Sequence, residues 1–218
     1  MRIGIIGAGN IGGTLARRLA ELGHEVRVAN SRAPETVAAH VTETGAQAVW
    51  AKDAAADAEL VIVSVPQKNT PDLAPGTVPT GVPVIETNNY YPQQRDGLIQ
   101  EIEDGTPESV WVAGLLGTDS VYKVFNGIYW KHLLEKGVPK GTPGRIALPV
   151  AGDPGPFQET VFALVDELGF DPVDGGTLAE SWRQQPGTPV YGKDYDVEKT
   201  VQALQEAPQE RPAEFRAA

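Results

Sequence analysis

The run Ile3-Gly4-Ile5-Ile6 leads without interruption into Gly7-Ala8-Gly9-Asn10-Ile11-Gly12, and this constrains the fold more than any other part of the chain. An apolar strand must turn sharply at Gly7, bring backbone close to a partner at Gly9, and pack a helix on the strand at Gly12. A glycine triplet alone says little in a chain with 24 glycines; the flanks give it meaning. Ile11, Leu15, Leu19 and Leu22 recur at helical spacing until Gly23, and Glu25 to Ala29 alternates as the next strand. A β-α-β unit of this length, with unpaired N–H groups at the start of its helix, is a site for the pyrophosphate of a dinucleotide.

The end of the second strand selects the nucleotide. Sites for NAD place Asp or Glu there to accept from the ribose 2′-hydroxyl. Here the chain reads Ala29-Asn30-Ser31-Arg32, with no acid. A guanidinium at Arg32 and a hydroxyl at Ser31 are suited to the 2′-phosphate of NADP(H), which charge-assisted hydrogen bonds would hold.

Helical and strand patterns alternate along the 218 residues, so the class is α/β, a doubly wound and mostly parallel sheet of Rossmann type with a small C-terminal extension. A net charge of −11 argues against nucleic acid as a partner, because phosphate contacts need a basic face. No apolar stretch of about 18 residues suggests a membrane span. With no basic and apolar leader before the first strand, a cytoplasmic protein is expected. The chain has no cysteine and no zinc-type spacing among its three histidines, so no metal site is expected.

Further along, a helix is expected from Pro34 to Thr44, a short edge strand from Gln47 to Trp50, and a helical turn from Asp53 to Ala58. Leu60 to Val65 reads as a central strand buried on both faces, ended by Pro66. Pro71, Pro75, Pro79 and Pro83 make the next crossover loop-rich before a strand at Val82 to Glu86. Helices are expected at Ser109 to Leu116, Tyr129 to Leu134, Gly155 to Leu168 and Asp194 to Gln205, and strands at Val121 to Phe125, Arg145 to Ala151 and Phe170 to Val173. Gly137 to Gly144 is the best linker candidate. The reading divides the chain into 1–136, an NADP-binding Rossmann domain, and 145–204, an α/β segment completing the sheet and the acceptor site. Residues 205–218 are expected to be a disordered tail.

Ligands of open parallel sheets gather beyond the carboxyl ends of the strands. That places Ser64, Val65 and Pro66 at the nucleotide wall, and Thr87 and Asn88 within reach of the nicotinamide end. Trp182 and Arg183 pair an indole with a guanidinium, a combination able to stack on a flavin-like ring or meet its phosphate tail. Tyr195-x-x-x-Lys199 has the spacing of a short-chain dehydrogenase pair but falls too late in the chain.

With the fingerprint, Asn30-Ser31-Arg32, Lys123-Val124-Phe125-Asn126, Pro149-Val150-Ala151-Gly152-Asp153 and Leu164 to Asp174 in view, the sequence resembles the coenzyme F420-dependent NADP reductase family, from Met1 to about Arg183. The resemblance implies hydride transfer between NADPH and a deazaflavin (coenzyme F420), or a flavin-type acceptor. It assigns Asn10 and Ile11 to the pyrophosphate, Ser31 and Arg32 to the 2′-phosphate, and Ser64 to Pro66 to the wall. Asn126 falls where archaeal members place a histidine near the reacting rings, and is the catalytic candidate; an amide orients but does not donate a proton to solvent chemistry. The expected partner is a small-molecule redox acceptor, and the late strands make a homodimer an expectation. The alternatives are an NADPH-dependent imine, keto or hydroxy-acid reductase, and a non-catalytic NADPH-binding redox sensor.

Overall fold

The computed structural model describes residues 1–73 and 76–217; Ala74, Pro75 and Ala218 lie outside the described residues. Eight strands form one sheet in the order β3-β2-β1-β4-β5-β6-β7-β8. They are β1 (Arg2–Ile6), β2 (Glu25–Ala29), β3 (Gln47–Ala48), β4 (Leu60–Val63), β5 (Val84–Glu86), β6 (Val121–Lys123), β7 (Ala147–Gly152) and β8 (Asp171–Asp174). All neighbours are parallel except β6 and β7. The order reverses between β1 and β4, and a crevice is expected at their carboxyl ends.

Ile3 and Ile5 of β1 and Leu60 and Ile62 of β4 are fully or almost fully buried on one face, and Val61 and Val63 of β4 are equally buried on the other. A strand sealed on both faces needs the continuous apolar run that β4 has. Helix α1 (Asn10–Glu21) lays Leu15, Ala16 and Leu19 on the first of these faces. The predicted helix at Pro34–Thr44 breaks instead into a 3-10 turn, Pro34–Thr36, and α2 (Ala39–Thr42), because Val37 and Ala38 are extended between them. The turn expected at Asp53–Ala58 begins earlier, as α3 (Ala51–Ala54). After β5 come α4 (Gln100–Glu103) and α5 (Glu108–Leu116); α6 (Trp130–Glu135) precedes β7, α7 (Gln158–Glu167) joins β7 to β8, and α8 (Val197–Gln205) follows. Asp196 caps α8 by accepting from the Lys199 amide, which places Lys199 in the first turn of that helix.

Two arginines fasten the late elements, Arg18 to the early helix α1 and Arg145 to one another. Arg18 of α1 donates to the Leu133 and Leu134 carbonyls of α6 at 2.9 and 3.1 Å and to the Leu168 carbonyl after α7 at 3.0 Å. A cation at two helix C-termini satisfies carbonyls that have no partner within the helix. Arg145 is buried and reaches five acceptors: the Val138, Gly169 and Asp166 carbonyls and the Asp166 and Asp171 carboxylates. The 137–144 stretch, expected as a linker, is thereby fastened to the end of α7, and Val138 N–H donates to the Gly169 carbonyl at 3.0 Å.

The expectation of a disordered tail is also corrected. Arg211 reaches Glu108 at 2.7 Å, Arg216 lies 3.6 Å from Glu103, and the Ala217 amide donates to Glu103 at 2.8 Å. Composition missed this because the tail adds charges that complete pairs already inside the protein, where patterning carries no apolar signal.

Arg145→Met should lower unfolding free energy by about 3–5 kcal/mol, because it strands buried acceptors and carboxylates; urea unfolding measures it, and a loss under about 1 kcal/mol would contradict the clamp. The hydrogen bond from Arg145 is the main reason the Asp166 carboxyl titrates below its ordinary 3.8. Its stabilisation is whole above the unfolded value and is lost as acid protonates the folded carboxylate below it. Asp166→Asn should therefore cost about 1 kcal/mol near neutrality, with the gap to wild type closing as the pH falls below that value.

Candidate functional site

A cavity of about 750 Å³ opens where β1, β2 and β4 end. Its floor is the fingerprint. Gly7 has φ +114°, and a Cβ there would sit 2.0 Å from the Ser64 carbonyl oxygen. A Cβ at Gly12 would sit 1.9 Å from the Gly7 carbonyl oxygen, so both positions require glycine. At Gly9 a Cβ would meet nothing within 4 Å: this glycine faces open space at the mouth of the helix. Gly9 caps α1 without a side-chain bond, no acid lies in the first turn, and Gly13 N–H closes the turn on the Gly9 carbonyl at 2.7 Å. Among the described residues the amides of Asn10, Ile11 and Gly12 meet no acceptor. These are the donors that a pyrophosphate takes at a helix N-terminus.

The end of β2 forms the cavity's outer corner. The Asn30 side chain accepts from the Arg32 amide at 2.8 Å and donates to Thr36 Oγ1 at 3.0 Å, which fixes the loop. The Ser31 hydroxyl and Arg32 guanidinium line the cavity, are exposed, and have no protein partner among the described residues. An arginine pinned through its backbone but free at its head is prepared for an anion, since it pays no ion pair to leave.

The opposite wall is Ser64, Val65 and Pro66, with Asn69 and Asp72 from the 3-10 segment Gln67–Asp72 beyond them. Thr87 and Asn88 do not line the cavity; the structure turns both side chains inward, against the expectation that they reach the nicotinamide end. Thr87 Oγ1 donates to Ser64 Oγ at 2.9 Å, and Asn88 Oδ1 accepts from the Val65 amide at 2.8 Å. The strand-end rule found the right loops, but here β5 serves to hold the end of β4. Because Ser64 Oγ already accepts from Thr87, its own proton has no acceptor among the described residues and is left for a ligand in the cavity.

Asn88 in turn rests on a buried ionic cluster. Lys123 of β6 is fully buried, 3.2 Å from Glu86 Oε2 and 3.8 Å from Glu108 Oε2, and donates to the Asn88 carbonyl at 2.9 Å. Glu86 also accepts from Ser109 and from the Asn88 amide, and Glu108 from the Tyr90 amide at 3.2 Å and from Arg211. Two carboxylates and two cations balance. Burial pushes the Glu108 carboxyl above its usual range, opposed by Lys123 and Arg211. The sequence signal was present: a lysine inside Val121-Tyr122-Lys123-Val124-Phe125, and a glutamate closing Val84-Ile85-Glu86. Charges within otherwise apolar strands are retained only with partners.

Asn126 stands at the end of β6 after Phe125, a buried residue held in the left-handed region at φ +63°. Its amide donates to Asn89 Oδ1 at 3.1 Å and to the Gln184 carbonyl at 2.7 Å, and accepts from Gln184 Nε2 at 3.1 Å. With both its N–H donors engaged and the side chain buried, the catalytic candidate is placed as a brace between β6 and the 3-10 segment Leu178–Gln184. Nearby, the Tyr91 and Tyr191 hydroxyls share a hydrogen bond, and burial together with Tyr91 pushes the Tyr191 phenol far above its ordinary value. Trp182 and Arg183 lie outside the nucleotide cavity. They pack on each other, guanidinium to ring at 4.5 Å, and Arg183 also reaches the Leu204 carbonyl at 3.3 Å and Glu180 at 3.7 Å.

Comparison with known proteins falls on the same elements. The family model described as NADP oxidoreductase coenzyme F420-dependent matches residues 2–90, from β1 past β5. The protein YjhV of Escherichia coli (strain K12) is 45% identical over 67 residues, a match that spans 31% of this chain and 49% of that protein. The crystal structure of the hypothetical protein SMa0349 from Sinorhizobium meliloti superposes with a TM-score of 0.75 at 30% identity, covering 89% of this chain and 94% of that one. A protein of Arthrobacter sp. FB24, described as a proposed F420-dependent NADP-reductase, has the same fold at a TM-score of 0.63 and 20% identity, covering 83% and 87%. The family match covers the strands and glycine turn that form the cavity, the end-to-end likeness carries the architecture through the late strands, and the chain belongs to the NADP oxidoreductase, coenzyme F420-dependent, family.

Proposed function

We propose that the chain transfers a hydride between NADP(H) and a flat redox acceptor of the deazaflavin (coenzyme F420) or flavin type. The observation that carries the nucleotide choice is the Arg32 guanidinium beside Ser31, unpaired among the described residues, at a strand end that itself carries no carboxylate to repel a 2′-phosphate. The residues fit the group: free amides at the start of α1 for the pyrophosphate, open space at Gly9, Ser64 with a hydroxyl proton to give, and Val65 and Pro66 as the wall. The bound nucleotide would supply the hydride. The chain's own part is to bind and orient it. At the ends of β5 and β6, Asn89 and Asn126 bond to each other and Asn126 also to Gln184, so these amides fix the strand ends and are not free for a ligand. Direct transfer between two stacked rings needs orientation and exclusion of water and does without an acid or base. Family membership supports the deazaflavin-type acceptor.

In a fluorescence titration NADPH should bind much more tightly than NADH. Arg32→Ala should weaken NADPH by about 10- to 100-fold and leave NADH nearly unchanged, the loss of charge-assisted bonds to one phosphate. Equal affinity of the wild type for the two nucleotides would sink the assignment. Thr87 never touches the nucleotide in this reading, so Thr87→Val should weaken NADPH by about three- to tenfold and Thr87→Ser should restore it. Added to Ser64→Ala, the valine should cost nothing further; additive losses would show that Thr87 does not act through Ser64.

A further inference from the structure

Phosphate binding leaves part of the cavity wall without a role. Asn69 and Asp72, from the 3-10 segment Gln67–Asp72, line the cavity beyond Pro66, Asn69 half-buried and Asp72 exposed. Neither side chain has a protein partner among the described residues, and Asp72 forms no ion pair with Arg32 although both line the same cavity. Asp72 is also the only acid among the described residues that line it. A carboxylate accepts hydrogen bonds and donates none, and it has the sign of a dinucleotide's phosphates. In a chain of net charge −11 it opposes such a ligand unless it meets a donor on it.

We propose that Asp72 and Asn69 read the base of the nucleotide and restrict the site to adenine, the Asp72 carboxylate accepting from the exocyclic amine while the Asn69 amide pairs with that amine and the ring nitrogen beside it. The inference rests on the dinucleotide reading of the cavity and adds a selectivity that the glycine turn and Arg32 do not supply, because those hold phosphate. The base is bonded to the ribose whose 2′-phosphate goes to Arg32 and Ser31, so it lies beside that corner. The lining left for it is apolar, Val65, Pro66, Leu73, Ala38 and Ala51, apart from Asn69 and Asp72, since the Thr36 hydroxyl is already bonded to Asn30 and to the Ala33 carbonyl. An apolar slot takes any purine. Adenine sets an amine next to acceptor nitrogens, a pattern that an Asn side chain matches with one donor and one acceptor. The second proton of the amine is then left for a carboxylate. Hypoxanthine and guanine have a carbonyl at that position, which would set acceptor against acceptor at Asp72.

The reduced hypoxanthine analogue of NADPH keeps every phosphate and both riboses and replaces the amine by a carbonyl. In a fluorescence titration of the full chain, NADPH should bind about fivefold or more tighter than this analogue. Asp72→Asn, whose amide turns to donate to the carbonyl, should bring the two within about twofold by tightening the analogue. The ratio is the readout, because removing a negative charge strengthens both ligands alike. A gain in affinity for the analogue also shows that the variant is folded. Asn69→Leu should weaken NADPH by about threefold or more and narrow the ratio. A wild type that binds the two ligands equally overturns the base reading and leaves the nucleotide assignment standing; an Asp72 carboxylate that accepts from a ribose hydroxyl would give that result. An Asp72→Asn ratio equal to that of the wild type overturns it as well, and an unchanged ratio in Asn69→Leu strikes Asn69 from it. A wild type that binds neither ligand overturns the nucleotide assignment and this inference together.

Discussion

Lys123 is the residue on which the rest turns. It sits in β6, fully buried, directly across the ladder from Glu86 of β5, and the pair is in register as well as in contact. A lone ammonium there would be several kcal/mol out of reach of burial, and removing one member of such a pair typically costs about 3–5 kcal/mol because the other is left uncompensated. The chain spends four segments on the problem: Glu86 from β5, Glu108 from the start of α5, Lys123 from β6 and Arg211 from the tail. Glu108 at the first position of its helix also meets the favourable end of the helix dipole.

The cluster matters to the site through one peptide. Lys123 holds the Asn88 carbonyl, Glu86 holds the Asn88 amide, and the Asn88 side chain holds the Val65 amide at the cavity wall. Thr87, one residue earlier, turns the Ser64 hydroxyl. The cavity wall is therefore stationed by buried polar groups two layers behind it, while Arg32, at the corner proposed to select the nucleotide, is exposed and, among the described residues, held through its backbone alone. Rigid support with a free charged head is an arrangement that binds an anion without first breaking an ion pair.

Local patterns were read well where they depended on periodicity and glycine sterics. The strands β1, β2 and β4, helix α1 and the cavity's floor followed from Ile3 to Gly12 and from Leu60 to Val63, because a strand buried on both faces and a tight turn permit few residue types. The helix expected at Pro34–Thr44 did not survive intact, since Val37 and Ala38 adopt extended backbone that no periodicity announces. Thr87, Asn88 and Asn126 were found as polar residues at strand ends, yet which way an amide points is settled by neighbours 20 to 60 residues distant, such as Val65 and Gln184.

The sequence by itself determined the Rossmann-type fold and its glycine turn, because those rest on steric requirements met within one β-α-β unit. Tertiary structure alone decided that Lys123, Glu86, Glu108 and Arg211 meet, that the tail packs instead of fraying, and that Trp182 borders a cavity of its own. A charge inside an apolar strand announces that it needs a partner, but not which of the residues 15 to more than 100 positions away will supply it. The energy of such a pairing appears only when folding has excluded the water that would otherwise have solvated each charge separately.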